Sequence, residues 1–274
     1  MFGLKAHFAK EAINKMLATP DFTADTAIAA LERYKLMSWE FRNDNLALLD
    51  QIVDKTPESD RASIAFKASS ETGMFEGPAE IKLRKRALDE TKILEPKERA
   101  IMAFNIWGKT VKTFLKSFDT EFAERAAQVV YDSLKEMPVD ERIELAIEMS
   151  EKSRGIHFRP MSKDCFELAI RAVEEKSEPE QVATFIKLYN AGDHFHHSQY
   201  ADKLNKLVDT APKEDRFAIA SYIYFGTAYP EIRARSLQMM ETHIGDSRPT
   251  DVARHRVLLQ EIHTEMAPPF KAVI

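Results

Sequence analysis

The chain has 274 residues, a formal net charge of −5, 44% hydrophobic and 30% charged side chains, and a single cysteine, Cys165. That balance supplies both a core and a large solvated surface, argues against a polyanion partner for the chain as a whole, and rules out an intrachain disulfide. Eight glycines and twelve prolines are too few for the tight turns of an all-β protein, and no apolar run approaches the roughly 18–20 residues of a membrane span.

Residues 1–19 open on MFGLKAHFAKEAINKML, an amphipathic, slightly basic stretch with no secretory apolar core. Glu11 and the lack of arginine separate it from a mitochondrial presequence, so it reads as a capping helix, and the absence of a targeting signal predicts a cytoplasmic protein. Behind it a period sets in over residues 20–265. Prolines stand at Pro20, Pro57, Pro96, Pro138, Pro179, Pro212 and Pro249, at intervals of 37, 39, 42, 41, 33 and 37 residues. Acids follow most of them within a few residues, as in Pro138-Val-Asp-Glu. A proline at the first helical position loses no hydrogen bond, and first-turn acids complement the positive helix end. Each proline is therefore predicted to start a helix. Residues 266–274 are left as a tail.

Two further registers share the period. Four units carry an acid–arginine pair, then an aliphatic and an alanine: Arg61 with Ile64-Ala65, Arg99 with Met102-Ala103, Arg142 with Leu145-Ala146 and Arg216 with Ile219-Ala220. Alanine permits close helix approach beside the aliphatic knob. An aromatic then falls 16–22 residues after each of the first six prolines, at Phe41, Phe75, Phe118, Phe158, Phe195 and Tyr229, several of them beside Gly or Pro. That is turn chemistry between two helices. A second amphipathic helix follows, as in residues 123–134.

A helix pair repeated every 38 residues or so, seven times over, is similar to the HEAT and armadillo class of α-solenoids. The resemblance lies in period and layout, covers residues 20–265, and brings no site residues with it. It implies an all-α fold, a right-handed α-α superhelix in which each pair buries its apolar faces against its neighbours. The tetratricopeptide pattern fits poorly, because its shorter period is fixed and these intervals are not.

The recurrent Arg61, Arg99, Arg142 and Arg216 are expected to be structural. A cation in a helix's first turn opposes the dipole, so each needs a compensating partner. Acids before the next proline, Asp50, Asp89 and Asp132, suggest an inter-repeat ladder of arginine–carboxylate bonds. The segment from Lys82 to Lys116 holds ten basic residues against four acids. Lys82, Arg84, Lys85, Arg86, Lys109 and Lys112, with Trp107 as a stacking surface, form a candidate patch for an acidic partner, phosphate or nucleic acid. The simpler alternative is a helix face solvated by lysines. Asp193-His194-Phe195-His196-His197 is the densest metal-capable cluster, yet His194, His196 and His197 match no established ligand spacing and fall in an aromatic turn. His255 and His263, two helical turns apart beside Glu261 and Glu265, form a weaker carboxylate–imidazole candidate. Cys165 lies in an apolar-periodic stretch, as a buried inert thiol would.

No phosphate loop, nucleophile elbow or Cys-x-x-Cys pair occurs, so no catalytic residue and no cofactor are assigned. The leading expectation is a non-enzymatic scaffold whose groove binds another protein. The alternative is a nucleic-acid protein using the basic 82–116 segment, since some HEAT-like solenoids are DNA-repair glycosylases. A metal-dependent role for the histidines comes third.

Overall fold

The computed structural model describes residues 2–72, 77–111, 120–154, 161–190 and 197–266. Among these residues the chain is all-helical, with no strand. Compact packing divides it into two units, Met1–Ile170 and Arg171–Ile274. The first holds α1 (Phe2–Leu17), α2 (Ala24–Lys35), α3 (Trp39–Asn43), α4 (Ala47–Lys55), α5 (Arg61–Ser69), α6 (Pro78–Glu90), α7 (Pro96–Val111), α8 (Thr120–Glu136), α9 (Val139–Lys152) and most of α10 (Met161–Glu174). The second holds α11 (Glu178–Asn190), α12 (His197–Thr210), α13 (Lys213–Gly226), α14 (Pro230–His243) and α15 (Val252–Met266).

Helices pack in neighbouring pairs: α5 with α6, α7 with α8, α11 with α12, and α13 with α14. In α8 the pairing follows from sequence spacing. Phe122, Ala123, Ala126, Ala127, Val130, Tyr131 and Leu134 are all buried on one face, while Glu121, Glu124, Arg125, Gln128, Asp132 and Lys135 remain outside the core. The repeated alanines do what their register requires. Ala65, Ala103, Ala146 and Ala220 have no exposed surface, so the backbones of adjacent helices approach closely. First helices also touch the first helices of the next pair, α2 with α5, α5 with α7, and α11 with α13. Gly226 shows how close that approach is. A Cβ there would lie 3.1 Å from Cδ1 of Ile186, so a side chain would require Ile186 to give by a few tenths of an ångström. The N-terminal α1 lies against α2 and α4, with Ala6, Ala9 and Ile13 buried.

The prolines stand one step earlier than expected. Pro57, Pro138 and Pro212 are N-caps with nearly the same backbone, φ −51°, −53° and −49° and ψ 143°, 146° and 139°. Their carbonyls accept the first helical bonds, from Asp60, Arg142 and Asp215, each at 2.9 Å. Extended ψ is the ordinary N-cap geometry, and proline's fixed φ is compatible with it. Pro96 alone opens its helix as its first residue. Pro20 precedes the N-cap Thr23, whose hydroxyl accepts from the Thr26 amide at 3.3 Å. Pro249 lies in the turn before α15.

The deviant Pro179 unit has a substitute cap. Ser177 replaces the proline, its amide donating to the Glu180 carboxylate at 3.2 Å in the manner of a capping box. Pro179 is displaced to the second helical position. Of the turn aromatics, Phe75, Phe118, Phe158 and Phe195 lie outside the described residues. Phe41 packs against the core, and Tyr229 meets Tyr189 edge-on at 4.9 Å. The tail, 266–274, also lies outside the described residues beyond Met266.

Candidate functional site

The recurrent arginines have partners, although mostly not carboxylates. Arg61 Nε donates to the Thr56 carbonyl at 3.0 Å, Arg142 to the Met137 carbonyl at 3.2 Å, and Arg216 to the Ala211 and Asp209 carbonyls at 3.0 and 2.7 Å. Those carbonyls belong to the end of the preceding helix, where backbone acceptors are orphaned and the dipole is negative. Arg99 departs from this pattern, binding both Glu136 oxygens at 2.9 and 3.3 Å. In the unit without arginine, Gln181 occupies the slot and donates to the Lys176 carbonyl at 2.8 Å.

An ionic ladder does exist, but it is built from second helices. Lys82 bonds Asp50 at 2.8 Å, Arg86 bonds Asp54 at 2.6 Å, and Arg125 pairs with Asp89. Tyr131 donates to Asp164 at 2.8 Å, extending the series to α10. Asp132 instead takes Gln128 and Lys135 of its own helix.

This ladder and other contacts engage much of the basic segment. Arg84 is buried against Glu80 on α6. Lys85 sits over the Phe122 ring at 5.7 Å, and Lys97 bonds Glu141 at 3.3 Å. Lys109 is exposed, and Lys112 lies outside the described residues. Trp107, placed above as a stacking surface, is a core residue with 0% exposure. Its ring stacks on Phe104 at 5.7 Å, so a ligand could reach the indole only if α7 moved.

His194 and His196 lie outside the described residues, and His197 opens α12. The described residues contain no group of three or more metal-capable side chains. His255 and His263 do not form one site. The His255 ring stacks on Phe217 at 3.9 Å, with Nδ1 2.9 Å from Ser247 Oγ, whereas His263 Nε2 meets Glu241 at 2.9 Å.

Burial pushes the Cys165 thiol up to about 12, with Asp164 adding to the effect. The thiol lies 3.6 Å from Met161 Sδ. Burial likewise lifts Tyr34 to about 12, where its hydroxyl donates to the Arg42 carbonyl at 2.6 Å. Each shift stabilises the neutral form, the reverse of what an activated nucleophile needs.

What the second unit offers instead is a groove. Glu178, Pro179 and Val182 of α11 face Asp215, Ala218, Ile219 and Tyr222 of α13 across a cavity of about 530 Å³. Its floor is apolar and its acids stand at the helix starts. Tyr222 and the nearby Phe225 are each 56% exposed, and Asp215 is only loosely held by Arg248 at 3.7 Å. Sequence reasoning missed this site, though α13 carried a signal. Between Phe217 and Phe225 it reads apolar on nearly every face, more than one buried stripe requires. No helix among the described residues is long and apolar enough to cross a membrane. The chain matches no protein-family model, no curated protein and no solved structure.

Proposed function

We propose that the chain is a non-enzymatic protein-binding scaffold, in which about seven helix pairs stack as a right-handed superhelix and present grooves between successive first helices. The stacking is supported by contacts between successive first helices, α2 with α5, α5 with α7 and α11 with α13, and by ion pairs joining α4, α6 and α8 in series. The function rests on one observation, the α11–α13 groove with its apolar floor, acidic lip and exposed Tyr222. Apolar side chains left in water beside a concave slot are the usual mark of a recognition surface. The acids select a segment that presents an apolar anchor beside lysine or arginine, because complementary charges steer and orient such a docking. A nucleic-acid reading draws less support, since Lys82, Arg84, Lys85 and Arg86 already face acids or a ring.

The test is fluorescence anisotropy with a labelled peptide carrying Leu anchors flanked by Lys. Binding should weaken about tenfold or more in Tyr222→Ser combined with Asp215→Lys, the loss typical of a central contact. Binding that is indifferent to both substitutions, or a loss that is equal for a Leu–Glu peptide, refutes this groove. Duplex DNA binding whose affinity falls steeply with salt favours the alternative.

A further inference from the structure

The first unit carries a second groove of opposite polarity. Lys5, Phe8, Ala9 and Ala12 of α1 face Arg33, Leu36, Met37 and Ser38 at the end of α2, enclosing about 630 Å³. Phe8 and Leu36, at 62% and 63%, are the most exposed large hydrophobic residues among those described, and both line this one slot. Two positions of this kind on unrelated surfaces would be ordinary, but two converging on one cavity are not.

The charges say what fits. Neither Lys5 nor Arg33 has an ion-pair partner among the described residues, and both are exposed. The one acid of α1 and the nearer acid of α2 are already engaged. Glu11 is bound by Lys15 and Glu32 by Lys35, each at 2.9 Å. Two uncompensated cations therefore flank the most exposed large apolar residues among those described.

We propose that this α1–α2 groove docks an acidic segment of a partner protein, an amphipathic helix whose leucine or phenylalanine enters between Phe8 and Leu36 while its Asp or Glu side chains meet Lys5 and Arg33. A helix laid in a groove presents anchors at successive turns and charges beside them, which matches this layout. A flat lipid surface meets the charges but cannot fill a slot floored by Ala9, Ala12 and Met37. The proposal rests on the scaffold reading, and it adds a second site with the opposite charge preference.

The probe is a labelled helical peptide of about 16 residues with Leu at i, i+3, i+4 and i+7 and Glu elsewhere. Controls replace every Glu by Lys, or every Leu by Ala. With Tyr222→Ser removing the α11–α13 groove, the chain should bind the Leu–Glu peptide in preference to both controls. Lys5→Glu with Arg33→Glu should weaken that binding about tenfold or more, and the same variant should gain affinity for the Leu–Lys peptide. Phe8→Ser should abolish Leu–Glu binding while leaving Leu–Lys binding at the α11–α13 groove unchanged, which also shows that the variant is folded.

No preference for the Leu–Glu peptide, or no effect of the charge reversals, overturns the assignment. So does self-association of the chain, or sedimentation with phosphatidylserine vesicles, that disappears in the same variants, because the occupant is then a second copy or a membrane. Loss of this site alone leaves the α11–α13 groove standing, whereas failure of both peptides removes the scaffold reading itself.

Discussion

Arg61, Arg142 and Arg216 begin on the wrong end of their own helices and finish on the right end of the ones before. Each reaches back five residues to a terminal carbonyl, so a cation that opposes one dipole completes another. Gln181 shows that the bond matters more than the charge, since a neutral amide makes the same contact in the same register. Arg216→Leu should therefore lower unfolding free energy by about 1–2 kcal/mol, and Arg216→Gln by less than half of that, as read from urea midpoints. Equal losses would mean that charge, and not the carbonyl bond, is what counts. Cys165 makes a second residue-scale prediction. With its thiol pushed up to about 12 by burial, it should resist a thiol reagent such as dithionitrobenzoate at about pH 8 and react only on unfolding. Because the folded value lies above the unfolded one, the thiol's contribution to stability is complete below the ordinary cysteine value of about 8.5 and is lost as pH rises toward 12.

At the scale of elements, the first helices were the most legible part of the chain. Their starts are written in proline, acid and serine, and their buried faces in the repeated alanine. What sequence spacing could not show was where long side chains end up. The Lys82–Asp50 and Arg86–Asp54 bonds join residues 32 positions apart, so two cations of what looks like a basic patch are already tied to the preceding second helix. The grooves were hidden for a related reason, because an exposed Tyr222 and a buried Phe217 look alike until neighbours are placed. The last helix illustrates both effects. Its two histidines were candidates for one site, but His255 packs on Phe217 of α13 while His263 reaches Glu241 of α14. Burial holds the His255 imidazole below its ordinary value, with Asp251 and Arg254 pulling in opposite directions. A base depressed in the folded state binds more protons when unfolded. Its contribution is therefore present above about pH 6.5 and lost as pH falls through the folded value. Hydrogen exchange in residues 252–266, corrected for intrinsic rate, should quicken between about pH 7.5 and about pH 5.5. His255→Gln should flatten that response. A response unchanged in that variant would remove His255 as its cause.

For the whole molecule, the question is whether stability is held locally or by one nucleus. The pairs of the first unit bury their apolar faces on adjacent pairs, α5 on α7 and α6 on α7, and the second unit repeats the pattern with α11 on α13. In an array of that kind stability is close to a sum of pair terms and nearest-neighbour terms, so damage stays near its origin. Trp107 is the probe of choice, being the largest fully buried side chain among the described residues. Its replacement by alanine leaves a cavity in the core beside α7 worth about 3–5 kcal/mol. Amide exchange should then rise most in α7 and α8, less in α5 and α6, and not at all in α13 and α14. A protein organised around a single centre would lose protection everywhere in step, because each slowly exchanging amide would then open only through global unfolding. Uniform loss in Trp107→Ala would thus dissolve the stacked-array reading, and with it the reason for expecting two independent grooves; a graded loss would leave the two grooves free to fail or bind separately, as their opposite charges require.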